Sequence, residues 1–505
     1  MTTMLTTTTP RTGEVSPTDL QETSTQEFDR IATGAQEAFD ALFEWSRGQR
    51  AALLDTVADA VEARRPELVA TANRETALGT TRLDGELSRS VFQLRLFAEA
   101  VRDGGYLEAA IDHEEATPLG PGPDIRRMLV PIGPVAAFGA SNFPFAFSIL
   151  GGDTASALAA GCPVVLKAHP SHPLTSQLSF AALQDGLRLA GAPARAIGVV
   201  YGTDAGIALV SHPTIRAAAL TGSVNAARAI HTAIDARDEP IPFFAELSSL
   251  IPVLITPRAA EHRAVEIADG LYTSVTGSGG QLCTKPGIVL VPAGVAGDLI
   301  VDALAKHVTT AQPAVLLNER IRDSFNDIHD RLVETGVRSR GTGLPAQDDG
   351  SLAVAAHVLE VHAKDFGPGL TEEAFGPLVL LVRYETREEA IDVITQMPGS
   401  LTATVQGQPD EQGLPELFQA LSARAGRLIF NGYPTGVRVS WAQHHGGPWP
   451  ATNSQHLSRR HCDPALATAT RLAEHARSSA SSRTTRRIRS CPPPGRRQVP
   501  RTPLS

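Results

Sequence analysis

Between Ser24 and about Ala110 the apolar residues recur at three- and four-residue spacing: Leu53, Leu54, Val57 and Val61, then Leu68, Val69 and Ala72. That period lines up one face of an α-helix, so the region is expected to be helical. From Met128 the texture changes. Short apolar runs bounded by Gly and Pro (MLVPIGPVAAFGA, CPVVLKAHP, AIGVVYG, AAALTGS) read as buried strands. Ala/Leu-rich stretches such as FSILGGDTASALAAG and TSQLSFAALQDGLRLAG lie between them as helices. Strand–helix alternation predicts an α/β fold, a parallel sheet with helices on both faces. A second alternating region runs from about Ile251 to Phe430 and includes ITPRAAEHRAVEIADGLYTSV, GIVLVPAG, LVLLVRYE and LIFNGYP. Residues 1–25 are polar and Thr-rich and read as a flexible lead.

A chain of 505 residues can bury large cores and is expected to form more than one domain. No apolar run is long enough to span a membrane, and MTTMLTTTTPRTGE lacks the apolar region of a secretory signal. A cytoplasmic protein is expected. A net charge of −9 argues against a nucleic-acid partner. The four cysteines, Cys162, Cys283, Cys462 and Cys491, show no metal-ligand spacing, so no metal is expected, and a reducing compartment suits them. The charge is uneven. Residues 457–505 hold eleven Arg, no Lys and two acids, Asp463 and Glu474, a net +9 that leaves −18 on residues 1–456. This segment has no aromatic residue and reads as disordered. An out-of-frame reading of GC-rich coding sequence would give such an Arg/Ser/Pro/Ala mixture.

Three blocks carry chemistry. Cys283 lies in VTGSGGQLCTKPG, where a Gly/Ser-rich loop lets the backbone approach a small electrophile. Glu246 follows an apolar run in FAELSSLIPVLI, and Asn142 lies in GASNFPFAFS after a strand-like stretch. Singly, each has an ordinary explanation: a buried thiol packing as a hydrophobe, a solvated strand end, a turn residue. Together they supply a nucleophile, a water-activating base and an oxyanion donor, the set for acyl chemistry. In this order the blocks resemble the NAD(P)-dependent aldehyde dehydrogenase superfamily, over about residues 28–456.

The resemblance implies a Rossmann-type cofactor domain over residues 26–245, with an oligomerisation hairpin near 111–129. It implies an α/β catalytic domain over 246–430 and a return to the substrate and oligomerisation region over 431–456. It implies a homodimer or homotetramer acting on a small-molecule aldehyde. Cys283 would attack the carbonyl, the Asn142 amide and the Cys283 N–H would hold the oxyanion, and Glu246 would activate water. Glu246 points to a free-acid product, since CoA-acylating relatives lack this base. For the cofactor, Lys167 would meet the adenosine ribose, and Gly222 and Ser223 the diphosphate at a helix start. Glu373 would hold the nicotinamide ribose and Phe375 flank the ring. Where NAD-preferring relatives often carry a Glu, this chain has Pro170 followed by Ser171. Loss of the acid removes repulsion against a 2′-phosphate, so NADP is expected, with NAD as the weaker alternative.

Departures from the family pattern are Ala227 and Ser248 in place of Gly, Ile251 in place of a polar residue, and Lys285 in place of a small polar one. Ser248 would be strained if its position needs positive φ. The segments RLDGELSRSVFQLRLFA, SNFPFAFS and FNGYPTGVRVSWAQHHGGPWPATNSQH resemble the branch containing 2,5-dioxovalerate (α-ketoglutaric semialdehyde) dehydrogenases and NADP-dependent fatty aldehyde dehydrogenases. An oxo-acid substrate would need cations, for which Arg438, His444 and His445 are candidates. The alternatives are a long-chain aldehyde, or an assembly-defective product if residues 457–505 replace a pairing strand.

Overall fold

The computed structural model describes residues 3–454; the tail discussed above lies outside the described residues. Residues 3–25 are not the expected flexible lead. Strands β1 (Met4–Thr9) and β2 (Glu14–Gln21) form an antiparallel hairpin. Its threonines suit a pleated strand although they are polar, and Thr7 is anchored by donating to the buried Glu75 at 2.7 Å. The turn closes through Gly13 at φ 68°.

Four helices follow: α1 (Thr25–Phe43), α2 (Arg47–Ala63), α3 (Arg65–Thr76) and α4 (Thr80–Asp103). Ser24 caps α1 by accepting from the Glu27 N–H, and Ser46 with Gln49 forms a capping box on α2. The stripe Leu53, Leu54, Val57, Val61 and Leu68 is buried and packs in one core with β-sheet residues. Two small exposed hairpins come next, β3 (Ala110–Asp112) with β6 (Ile125–Arg127), and β4 (Glu115–Thr117) with β5 (Gly120–Gly122).

The first sheet is built from β7 (Val135–Phe138), α5 (Gly152–Ala160), β8 (Val164–Lys167), α6 (Pro173–Leu189), β9 (Ile197–Val200), α7 (Asp204–Ser211), β10 (Ala217–Thr221), α8 (Val224–Asp235) and β11 (Phe243–Glu246). Its order is β11-β10-β7-β8-β9, all parallel. The chain starts at β7, moves one way to β9, then returns to the other side of β7. This reversal makes a crevice at the carboxyl edge between β7 and β10, where α/β sheets take ligands. Register places Phe138 beside Lys167 and Thr221 beside Glu246 at that edge.

The second sheet comprises β12 (Ile251–Ile255), α9 (Pro257–Thr276), β13 (Pro286–Pro292), α10 (Val295–Thr309), β14 (Ala314–Val315), α11 (Glu319–Glu334), β15 (Arg338–Thr342), β16 (Ala353–Val354), β17 (His357–His362), β18 (Leu378–Tyr384), α12 (Arg387–Gln396), β19 (Ser400–Gln406), α13 (Leu414–Ser422) and β20 (Ala425–Phe430), with β14 and β16 pairing separately. Seven strands run in the order β15-β17-β18-β13-β12-β19-β20, parallel except for the edge strand β15. Strands β12 and β13 are buried along their whole length, so they hold the Cys283 loop between rigid supports. Truncating Leu254 or Leu290 to Ala would cost about 2–5 kcal/mol.

Candidate active site

Asn142, Lys167, Gly222 and Glu246 all stand at or just beyond the carboxyl edge of the first sheet. Cys283 reaches the same place from the second sheet, on the loop between α9 and β13. That loop turns through three consecutive left-handed residues, Ser278, Gly279 and Gly280. A Cβ at Gly280 would come within 2.3 Å of the Gly376 backbone, so no larger residue fits. Gln281 fixes the loop: its side-chain oxygen accepts from the Leu317 N–H at 2.9 Å, and its amide donates to Ser278 and Val315 carbonyls.

Glu246 ends β11, fully buried, and its carbonyl accepts from the Gly222 N–H at 2.9 Å. Glu246 and the expected phosphate turn are thereby tied together. The segment 444–453 lies along this strand. The Leu247 N–H donates to the Ala451 carbonyl, and Asn453 pairs with the Ala245 and Phe243 backbone. This contact brings His445 Nε2 to 3.2 Å from Glu246 Oε1, both side chains almost wholly buried. Donor atoms of Glu246, Cys283 and His445 all lie within 4.8 Å of one another.

Asn142 Nδ2 donates to the Gln281 carbonyl at 2.9 Å, two residues before the thiol. One amide N–H is thus used in holding the loops together, and the second is left for a ligand. Arg82 and Glu86 of α4 set this arrangement. Arg82 donates to the Asn142 carbonyl at 2.7 Å and to Ser278 at 2.9 Å, while pairing with Glu86 at 2.9 Å. Glu86 accepts from the Phe145 and Ala146 N–H groups. Burial pushes the Cys283 thiol well above its ordinary pKa, and the Glu246 and Glu373 carboxylates add to this, while Arg89 opposes it. These surroundings disfavour the thiolate.

The expected cofactor residues are spread around the same crevice. Lys167 closes β8, and its ammonium is depressed by burial. Ser171 accepts from Asn318 Nδ2 at 2.8 Å. Ser223 caps α8 by accepting from the Ala226 N–H, so its own hydroxyl serves the helix. Glu373 accepts from the Ser249 N–H at 3.1 Å, and burial raises its carboxyl to about 7 against the opposing charge of Lys285. Lys285 is held down to about 8 by burial, and it donates to the Ala374 and Leu378 carbonyls. Phe375 is half-buried beside this pair. Ser248 has no positive φ, so the expected strain is absent; its hydroxyl bonds to Glu373.

The residues present suit a dinucleotide. A helix N-terminus, a lysine at a strand end and a buried carboxylate follow the carboxyl edge of one sheet, and the Thr221 hydroxyl there is buried without a hydrogen-bond partner.

The sequence model of the aldehyde dehydrogenase family matches residues 2–448. The chain belongs to the aldehyde dehydrogenase family. It is similar to "Alpha-ketoglutaric semialdehyde dehydrogenase 2" of Azospirillum brasilense, 42% identical over 84% of this chain and 82% of that one. It is 38% identical to the alpha-ketoglutaric semialdehyde dehydrogenase of Acinetobacter baylyi, over 88% and 86% of the two chains. Among solved structures, aldehyde dehydrogenase 21 of Physcomitrella patens shares the fold, with TM-score 0.75, 20% identity and coverage of 93% and 94%. The protein is thus an oxidoreductase acting on aldehydes.

Several residues of this aldehyde dehydrogenase were not assigned their places by sequence reasoning. His445 was expected as a substrate cation and instead lies on Glu246; Arg438 is exposed. Lys285 stood out only as a departure, and nothing local announces that its charge acts on Glu373. Arg82 and Glu86 have the i,i+4 spacing of a helix pair, a signal too common to single them out.

Proposed function

We propose that this enzyme oxidises 2,5-dioxovalerate to 2-oxoglutarate with NADP through a thioester on Cys283. The observation that carries the reaction type is the meeting of thiol, carboxylate and imidazole within 4.8 Å, with the Asn142 amide on the adjacent loop. The substrate reading is supported by the names of the two relatives above.

Glu246, with His445 against it, takes the proton of the Cys283 thiol, and the thiolate attacks the aldehyde carbon to give a hemithioacetal. The second Asn142 N–H and the Cys283 N–H stabilise the oxyanion. When bound, the nicotinamide supplies the acceptor for the hydride, which leaves the thioester behind. Glu246, that first proton released to solvent, then draws a proton from water, whose oxygen attacks the thioester carbonyl, and the carboxylic acid departs as the Cys283 thiolate leaves and takes a proton back from Glu246. Glu373 and Phe375 are assigned to the nicotinamide side, Gly222 and Ser223 to the diphosphate, and Lys167 and Ser171 to a 2′-phosphate opposite Pro170. Assembly as a homodimer or homotetramer is supported by a groove along α8 that carries the exposed Trp449.

The test is a panel of 2,5-dioxovalerate, succinic semialdehyde and a long-chain aldehyde, followed by NADPH and NADH absorbance, with Cys283→Ala as control. The reading expects the highest kcat/KM for dioxovalerate with NADP, and no turnover in the variant. Turnover in Cys283→Ala, or a preference for the long-chain aldehyde, overturns it.

A further inference from the structure

One guanidinium near the thiol makes no ion pair among the described residues. Arg89 lies on α4, one helical turn beyond Glu86 and two beyond Arg82, on the side that faces the Asn142 loop. Its Cζ stands 4.9 Å from the Phe147 ring centroid and 5.9 Å from that of Phe143, the residue next to Asn142. The two rings pack edge to face at 5.0 Å. Arg89 Nε is sealed from solvent and has no hydrogen-bond partner, and among the described residues no carboxylate lies within ion-pair distance of Arg89.

Such a group is unusual. A guanidinium carries five N–H donors, and a sealed donor without a partner is costly. Aromatic faces hold the cation in place, but they accept none of those hydrogen bonds. The other cations around the site are engaged or remote. Arg82 is spent on Glu86, Ser278 and Asn142; Lys285 donates to two carbonyls; His445 lies on Glu246; Arg438 is exposed. The charge of Arg89 is near enough to act on the Cys283 thiol.

We propose that Arg89 receives the distal carboxylate of an anionic aldehyde and so sets the preference of this enzyme for oxo-acid aldehydes. A planar fork suits a carboxylate through two parallel N–H···O bonds. Phe143 and Phe147 wall the space for the methylenes between the two ends. This inference rests on the oxo-acid reading under Proposed function and names the residue that enforces it.

The experiment compares kcat/KM for 2,5-dioxovalerate and for pentanal, a neutral aldehyde of equal chain length, in the unmodified enzyme, Arg89→Gln and Arg89→Lys. The ratio of the two values cancels any general effect of Arg89 on the thiol. In Arg89→Gln the ratio should fall about 30-fold, mostly through KM for dioxovalerate, the scale of a lost hydrogen bond to a charged group. Arg89→Lys should restore part of it. A second readout avoids substrate chemistry: 2-oxoglutarate should inhibit pentanal oxidation competitively, and its Ki should rise by a similar factor in Arg89→Gln. If the unmodified enzyme prefers dioxovalerate but the ratio and the Ki stay put in Arg89→Gln, the assignment of Arg89 is wrong. If the unmodified enzyme prefers pentanal, the oxo-acid reading falls, and Arg89 with it.

Discussion

His445 Nε2 lies 3.2 Å from Glu246 Oε1, in a place from which both side chains are almost excluded from water. They come from chain positions 199 residues apart, joined because the segment after β20 pairs with β11. A carboxylate held by an imidazole is well placed to take a proton, first from the thiol and later from water.

Replacing Glu246 by Gln should therefore slow the NADPH burst, because the thiol loses its base, while leaving its amplitude at about one equivalent per site, and should cut steady turnover by about a hundredfold. In His445→Gln the burst should also slow, by about tenfold, because thiol deprotonation loses its support. Stopped-flow absorbance separates the two. Normal steady turnover in Glu246→Gln would place the base elsewhere.

Cofactor choice should follow charge. With Pro170 where an acid would repel a 2′-phosphate, kcat/KM for NADP should exceed that for NAD by at least about tenfold. Pro170→Glu should shrink the ratio. An unmodified enzyme working equally well with NAD contradicts the assignment of Lys167 and Ser171.

Glu373, under the influence of the Lys285 charge, gives a pH signature. Burial raises Glu373 to about 7, so its carboxylate form dominates above that pH and is lost below it. NADP affinity should weaken as pH falls through about 7, since the protonated carboxyl accepts ribose hydroxyls less well. Lys285→Met removes the cation that opposes this rise, so the midpoint should move to higher pH. Titrating cofactor binding by fluorescence checks both; a midpoint that moves down would show that Lys285 does not act on Glu373.

Thiol, imidazole and carboxylate within 4.8 Å form a donor set suited to zinc. Catalysis needs the thiol free, so micromolar Zn²⁺ should inhibit the enzyme and EDTA should restore it. His445→Gln should weaken the inhibition by about tenfold or more. Inhibition of equal strength in that variant would place the ion at another site.

Glu86 carries a structural load that reaches the chemistry. It accepts two backbone N–H groups and pairs with Arg82, which in turn holds Asn142. Glu86→Ala leaves the half-buried Arg82 without its counter-charge and two backbone donors without an acceptor, at a cost of about 3 kcal/mol. Urea unfolding should show this loss. Glu86→Gln, which can still accept, should lose less.

Some of this protein could be read from residues in a row. The helical stripe from Leu53 to Ala72 and the Gly/Pro-bounded apolar runs after Met128 declared the helical start and the α/β alternation, because helix and strand periods are local properties. Cys283, Glu246 and Asn142 could be singled out because each sits in a short segment of distinctive composition, and the structure brings the three together. The Thr-rich start was misread, since its strands rest on a distant partner, Glu75, and show no apolar alternation. His445 against Glu246, the Lys285 charge acting on Glu373, and Arg89 over the Phe143 and Phe147 rings are juxtapositions between distant segments. No local pattern encodes them; the switch in strand order at β7 and the return of residues 444–453 onto β11 decided them, because only packing brings such charges out of water together.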